Sequence, residues 1–143
     1  MAYGISFTQA LYVLIFVADK MRLNRFEMVP TSLISEALNL PRPSAAKILK
    51  QLNQAGIVET ATGVKGGVCL AKEPQQIRLY DIFRAIEGKK PLFRSDHPLN
   101  ASGMRPKQVK DTVRELLLRF EHNLARNLAD YTLADLVSVH EKS

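Results

Sequence analysis

A mainly α-helical chain with one small β-hairpin is the fold the sequence predicts, and three observations predict it. The stretch SAAKILKQLNQA places Ala45, Ile48, Leu49, Leu52 and Ala55 on one face of a helix. Directly after it, TGVKGG separates two short apolar runs, as a turn separates the strands of a hairpin. Further along, Val109, Val113, Leu116, Leu117, Phe120, Leu124 and Leu128 recur at helical spacing through one long segment.

In chain order, residues 5–20 read as a first helix, apolar almost all round (Phe7, Ala10, Leu11, Leu14, Ile15, Ala18) and so largely buried. RLNRFEMVP connects it to a short helix through Leu38, with Thr31 and Ser32 as N-cap candidates. NLPRP then breaks the chain, and Pro43 fits the first turn of the amphipathic helix, where no backbone donor is needed. Opposite its apolar face lie Lys47, Lys50, Gln51 and Gln54, and Gly56 closes it. A short helix, a brief turn and a helix with a basic and amide outer face form the helix-turn-helix pattern. An ordinary helical hairpin with a wet polar face has the same outline.

Residues 57–61 and 68–71 are the expected strands, with Lys65 at the tip of the turn between them. A glycine-rich basic hairpin straight after such a helix is a wing, whose small residues let backbone approach a phosphate chain. The glycine and lysine spacing does not match a nucleotide-binding P-loop, and no helix follows it. Residues 77–88, IRLYDIFRAIEG, predict an extended lead into a helix closed by Gly88. A proline- and glycine-punctuated loop of about eighteen residues follows, over 89–106. The long helix, 107–128, spans about 33 Å. One small domain does not easily cover so long a stripe, which points to pairing with a second copy. The bland counterpart is a helix folded onto its own core. Thr132 with Asp135 resembles a capping box for a last helix over 133–140.

The charge of the chain is +6, with a pI near 9.6, and it is unevenly placed. Residues 40–72 hold five basic side chains (Arg42, Lys47, Lys50, Lys65, Lys72) against one acid, Glu59. The rest of the chain is nearly balanced, so the excess is local, as a polyanion-binding surface requires. A single cysteine excludes a disulfide framework and an all-cysteine zinc site. LYVLIFVA is too short to span a membrane and lacks the flanks of a signal peptide, so a cytoplasmic protein is expected. No nucleophile elbow, nucleotide loop, metal motif or paired carboxylates support an enzyme. His97, Asp96 and Glu87 do not make an organised ligand set, and no metal or cofactor is expected.

The segments AGIVET, GVKGGVCLAKEPQQI and LYDIFRAIEG together resemble the Rrf-type bacterial winged-helix transcriptional regulators, strongly over residues 45–88 and weakly at the start. The resemblance implies a winged helix-turn-helix over 1–88, a sensor-position loop over 89–106, and a dimerisation helix with a C-terminal helix over 107–143. It further implies a homodimer that binds palindromic double-stranded DNA, as a repressor more than an activator. Carried onto this chain, the DNA-reading positions are Arg42, Ser44, Lys47, Lys50 and Gln51, with Thr62, Lys65 and Gly66 in the wing. Cluster-binding members carry three cysteines in the loop, which here has none, so the chain looks like the cluster-less YwnA-like branch. Thr8 and Thr62 stand where the family often has basic residues. A small-molecule effector for the loop is an open expectation. Cys69 is a candidate redox site, because Lys65 and Lys72 lie near it in sequence and a reactive thiol needs an electropositive setting. A winged helix used for protein contacts is the competing reading, and it predicts an apolar or acidic outer face on 44–54.

Overall fold

The computed structural model describes residues 4–138. Its elements are α1 (Ser6–Leu23), α2 (Thr31–Ala37), α3 (Arg42–Gln54), β1 (Val58–Ala61), β2 (Gly67–Leu70), a 3-10 turn (Pro74–Gln76), α4 (Leu79–Glu87), α5 (Met104–Ala129) and α6 (Leu133–Ser138). The expected final helix beyond Ser138, His140 included, lies outside the described residues. No helix among the described residues is long and apolar enough to cross a membrane.

α1 is the spine. Ala10, Val13, Leu14, Val17 and Ala18 are buried along it, against α4, β2, α6 and the two helices of the helix-turn-helix. Each fully buried Val or Leu contributes about 1.5–3 kcal/mol of transfer free energy. Phe7 meets Phe83 of α4 edge to face, with ring centroids 5.4 Å apart. α2 and α3 close over this core through Ile34, Ala45, Ile48, Leu49 and Leu52. Between them Asn39 takes φ +54°, a left-handed conformation that asparagine tolerates better than most residues.

The hairpin pairs antiparallel, with Val58 opposite Leu70, Glu59 opposite Cys69, Thr60 opposite Val68 and Ala61 opposite Gly67. Val29, just before α2, adds a third rung: its N–H donates to Val68 O at 2.7 Å and its carbonyl accepts from Val68 N at 2.8 Å. This pairing explains why the expected Thr31 and Ser32 caps are not used. It fixes the chain at Val29, Pro30 takes the cap position without a side-chain cap, and Thr31 already begins the helix. It also explains Gly67, whose φ is +141° and whose added Cβ would collide with the Val29 backbone.

Two further elements differ from expectation. α5 starts at Met104, so Pro106 lies inside its first turn, where no intrahelical donor is lost. α6 returns to the winged-helix core: Leu133 N donates to Ile77 O at 2.8 Å, Leu79 N donates to Tyr131 O at 2.9 Å, and Leu133 and Val137 are buried. The division of residues at 107 groups α6 with α5, whereas its packing is with α1 and the 3-10 turn. Thr132 N donates to Asp135 Oδ2 at 2.8 Å, which is one half of the anticipated capping box.

Candidate nucleic-acid interface

The amphipathic reading of α3 holds on the buried side for Ala45, Ile48, Leu49 and Leu52, whereas Ala55 follows the helix and is exposed; the outer residues fall into two groups. Arg42, Pro43, Ala46, Lys47 and Lys50 are exposed, whereas Ser44 and Gln51 are half-buried. Gln51 turns to α4, where its Nε2 donates to Ile86 O at 3.3 Å. A side chain held that way braces the recognition helix against its neighbour. The structure therefore gathers Arg42, Lys47 and Lys50 on the open face and sets Ser44 and Gln51 at its flank. A sequence signal for this exists: Ser44, Ile48, Gln51 and Ala55 form one row at helical spacing, so Gln51 borders the apolar side.

At the tip of the hairpin, Gly66 N donates to Gly63 O at 3.0 Å and closes a tight turn. Val64 and Lys65 are its central residues, and both are exposed. A Cβ on Gly66 would collide with the Ala61 and Thr62 backbone, so this glycine is needed by the hairpin itself. Val64 was not singled out by the sequence pattern, although an apolar side chain projecting from a turn can touch a thymine methyl or a groove wall.

Between α3 and the hairpin lies a cleft of about 720 Å³, lined by Thr31, Ala46, Lys50, Asn53, Thr60 and Thr62 among others. Lys50 and Thr62, named from the sequence as separate contacts, thus line the same cleft. Hydroxyls and an amine are apt partners for phosphate oxygens. Asn53 Nδ2 donates to Val58 O at 3.1 Å and ties the last turn of α3 to the strand that carries the wing. Arg42, Lys47, Lys50 and Lys65 enter no ion pair with another described residue.

Cys69 does not sit in the electropositive setting expected of it. It is half-buried opposite Glu59. Burial first, and then the Glu59 carboxylate, push the thiol pKa above its ordinary value, partly offset by a backbone hydrogen bond from Glu59. Lys65 lies away at the turn, and Lys72 lines a cleft beyond the other end of the hairpin.

The expected dimer stripe on α5 splits in two. Val109, Val113, Leu116, Phe120 and Leu124 are exposed, Phe120 to 50%, while Leu117 and Leu128 are half-buried toward their own chain. Leu118, absent from the expected set, is also exposed. Not one residue of this 26-residue helix is buried. The loop before α5 is tied down at its start: Glu121 accepts from Leu92 N at 2.8 Å and lies 3.9 Å from Arg84. Phe93 rests on Phe120, centroids 6.5 Å apart. Arg94 forks onto Asp96 at 2.6 and 3.2 Å and holds that carboxyl below its usual range.

A helix-turn-helix with an open basic face, a glycine-closed wing and a long helix beyond them define a winged-helix transcriptional regulator. The chain belongs to the Rrf2 family, described as "Iron-dependent Transcriptional regulator", which residues 5–139 match. A putative HTH-type transcriptional regulator of Lactococcus lactis, YffB, is 31% identical over 130 residues, covering 90% of this chain and 81% of that protein. A second putative HTH-type regulator, slr0846 of Synechocystis, is 36% identical over 104 residues, 72% of this chain and 67% of that one. Among solved structures, CymR, the global cysteine regulator of B. subtilis, superposes with a TM-score of 0.70 at 25% identity, covering 97% of this chain and 98% of CymR. IscR of T. potens superposes at 0.66 with 23% identity, over 99% and 90% of the two chains, and shares the fold. These relatives are regulators, and the enzyme classes excluded from the sequence stay excluded.

Proposed function

We propose that the protein is a homodimeric, sequence-specific repressor of the bacterial cytoplasm that binds a palindromic operator. The observation that carries this reading is the set of four exposed, unpaired cations, Arg42, Lys47, Lys50 and Lys65, on the outer face of α3 and the wing. Lys47 and Lys50 enter the major groove, Arg42 and the threonine-lined cleft meet phosphates, and Lys65 follows the backbone beside the wing. The lysine-rich face disfavours the protein-contact alternative, which needs apolar or acidic side chains there. The dimer reading rests on the exposed row Val109, Val113, Leu116, Phe120 and Leu124, which runs for more than four helical turns along α5 and which its own chain covers only in part, through Phe93 on Phe120.

The same reading is free of an iron–sulfur cluster. Such clusters are held by thiolates, and the single cysteine lies on β2, outside the loop before α5. Among the described residues no three His, Cys, Asp or Glu side chains gather as metal ligands. The residues present do not fit that group. Redox control through Cys69 is likewise disfavoured, since its surroundings oppose the thiolate.

Selection from a pool of random duplex DNA at physiological salt tests the proposal. Enrichment of a palindrome with half-sites about one helical turn apart is the expected result. Enrichment of nothing, from protein that is folded and dimeric, would overturn it.

A further inference from the structure

Along α4 lies a second cleft, of about 800 Å³, within the range of about 300–1,000 Å³ typical of small-molecule sites. Its floor is apolar, made by Ala55, Ile57 and Ala85. Four cations converge on it: Lys72 beyond the hairpin, Arg78 and Arg84 at the two ends of α4, and Lys89 after it. The one carboxylate in its wall, Asp81, is already engaged, with Arg78 Nη2 at 3.0 Å from Oδ1 and Arg78 Nε at 3.3 Å from Oδ2. Lys72 and Lys89 make no ion pair among the described residues. Asp81 and Glu121 offset Arg78 and Arg84 in part, so the charge left to a ligand is chiefly that of Lys72 and Lys89, which one anion with more than one charge can meet together.

We propose that this cleft binds a small multivalent oxyanion, and that the anion acts on DNA binding through Arg84. The second half rests on the DNA-binding reading above; the first does not. Arg84 is the junction residue of this region. Its Nε donates to Tyr80 Oη at 3.1 Å, its Nη1 to Gly88 O at 3.1 Å and to Lys90 O at 3.2 Å, and Glu121 of α5 stands 3.9 Å from Nη2. The Glu121 contact is the longest of these, so it is the one an oxyanion in the cleft competes with. Glu121 also holds Leu92 N at the start of the loop. Drawing Arg84 toward the cleft therefore loosens the tie between α4, the loop and the dimer helix. Two residues further along α4, Ile86 O accepts the hydrogen bond from Gln51 of the recognition helix. The cleft meets no residue of α3 itself, only Ala55 that caps it, about 20 Å along the helix axis from Arg42. An anion there leaves the DNA-facing end clear and acts at a distance.

The test is a titration of the isotope-labelled full chain with citrate, and separately with inorganic phosphate, at ionic strength held constant with sodium chloride. Amide and arginine Nε resonances are followed, and operator affinity is measured in parallel. The expected result is saturable shifts centred on Lys72, Arg78, Arg84 and Lys89, lost in a Lys72→Gln, Lys89→Gln variant. Saturation by citrate alone identifies a carboxylate ligand, and by phosphate alone a phosphate. At saturation the operator affinity changes by about fivefold or more. Shifts that fail to saturate with either anion, or that persist in the double variant, overturn the site. Saturation without any change in operator affinity overturns the Arg84 coupling and keeps the site. Failure of the DNA reading would show separately, as no sequence-specific binding before any anion is added.

Discussion

The cations of the α3–wing surface and those at the α4–α5 junction differ in kind and in employment. On the first surface three of four are lysines, exposed and without ion-pair partners. At the junction the residues that matter are arginines, and Arg78, Arg84 and Arg94 all have carboxylates or carbonyls in reach. Lysine is a mobile, strongly hydrated point charge, suited to following a phosphate chain in many registers, whereas the planar guanidinium fixes geometry by several hydrogen bonds at once. The same charge is thus left open on one surface and engaged within the chain at the other.

Breaking the assembly end has the largest expected effect. Leu116→Glu with Phe120→Glu places four carboxylates in the proposed dimer seam; the chain sediments as a monomer and operator affinity falls by a factor on the order of 10³, since one half-site is lost. A sedimentation profile that stays dimeric would show that this face of α5 is not the seam. Next in size, Lys50→Ala removes the proposed groove contact, with an expected cost of about 1–3 kcal/mol, a loss of roughly 10- to 100-fold on the operator and less on unrelated DNA. Gln51→Ala separates the two ends more finely. Its hydrogen bond to Ile86 O is intramolecular, so the change costs about 1 kcal/mol of stability and leaves base preference intact; a relaxed preference in a binding-site selection would return Gln51 to the groove. The smallest effect belongs to Cys69. Its raised thiol pKa keeps the thiolate fraction low at neutral pH, so its rate of modification by an aromatic disulfide rises with pH at a midpoint above that of the unfolded chain. By linkage, that raised pKa lowers stability as pH climbs past the unfolded thiol's value. A midpoint at or below the unfolded one would restore the sensor reading.

How much of this was legible in the sequence follows the range of each interaction. Periodicity marked most of the buried side of α3, and the glycines marked the wing, because those signals are local; on α1, apolar almost all round, it did not separate the buried Val13 and Val17 from the half-buried Phe7, Leu11 and Ile15. The third rung at Val29, the return of α6 to α1 and the Gln51–Ile86 bond join residues far apart in the chain. Amphipathic spacing gives the direction of a side chain around its own helix but does not say which neighbour stands on the flank. The α5 stripe shows the same gap: Leu117 and Leu128 belong to the pattern, yet they face their own chain. The candidate site was therefore readable as a basic surface, while its division into reading, bracing and turn-forming residues was not.

Operator affinity measured across a range of salt, for the wild-type chain and for Lys47→Ala, Lys50→Ala, Lys65→Ala, tests most directly whether the free lysines are the DNA-binding set. Each lysine that meets a phosphate adds about 0.9 to the slope of log affinity against log salt. The triple variant should bind weakly with a slope shallower by about one unit or more. An unchanged slope and affinity would place the DNA elsewhere on the molecule and contradict the division between the two ends.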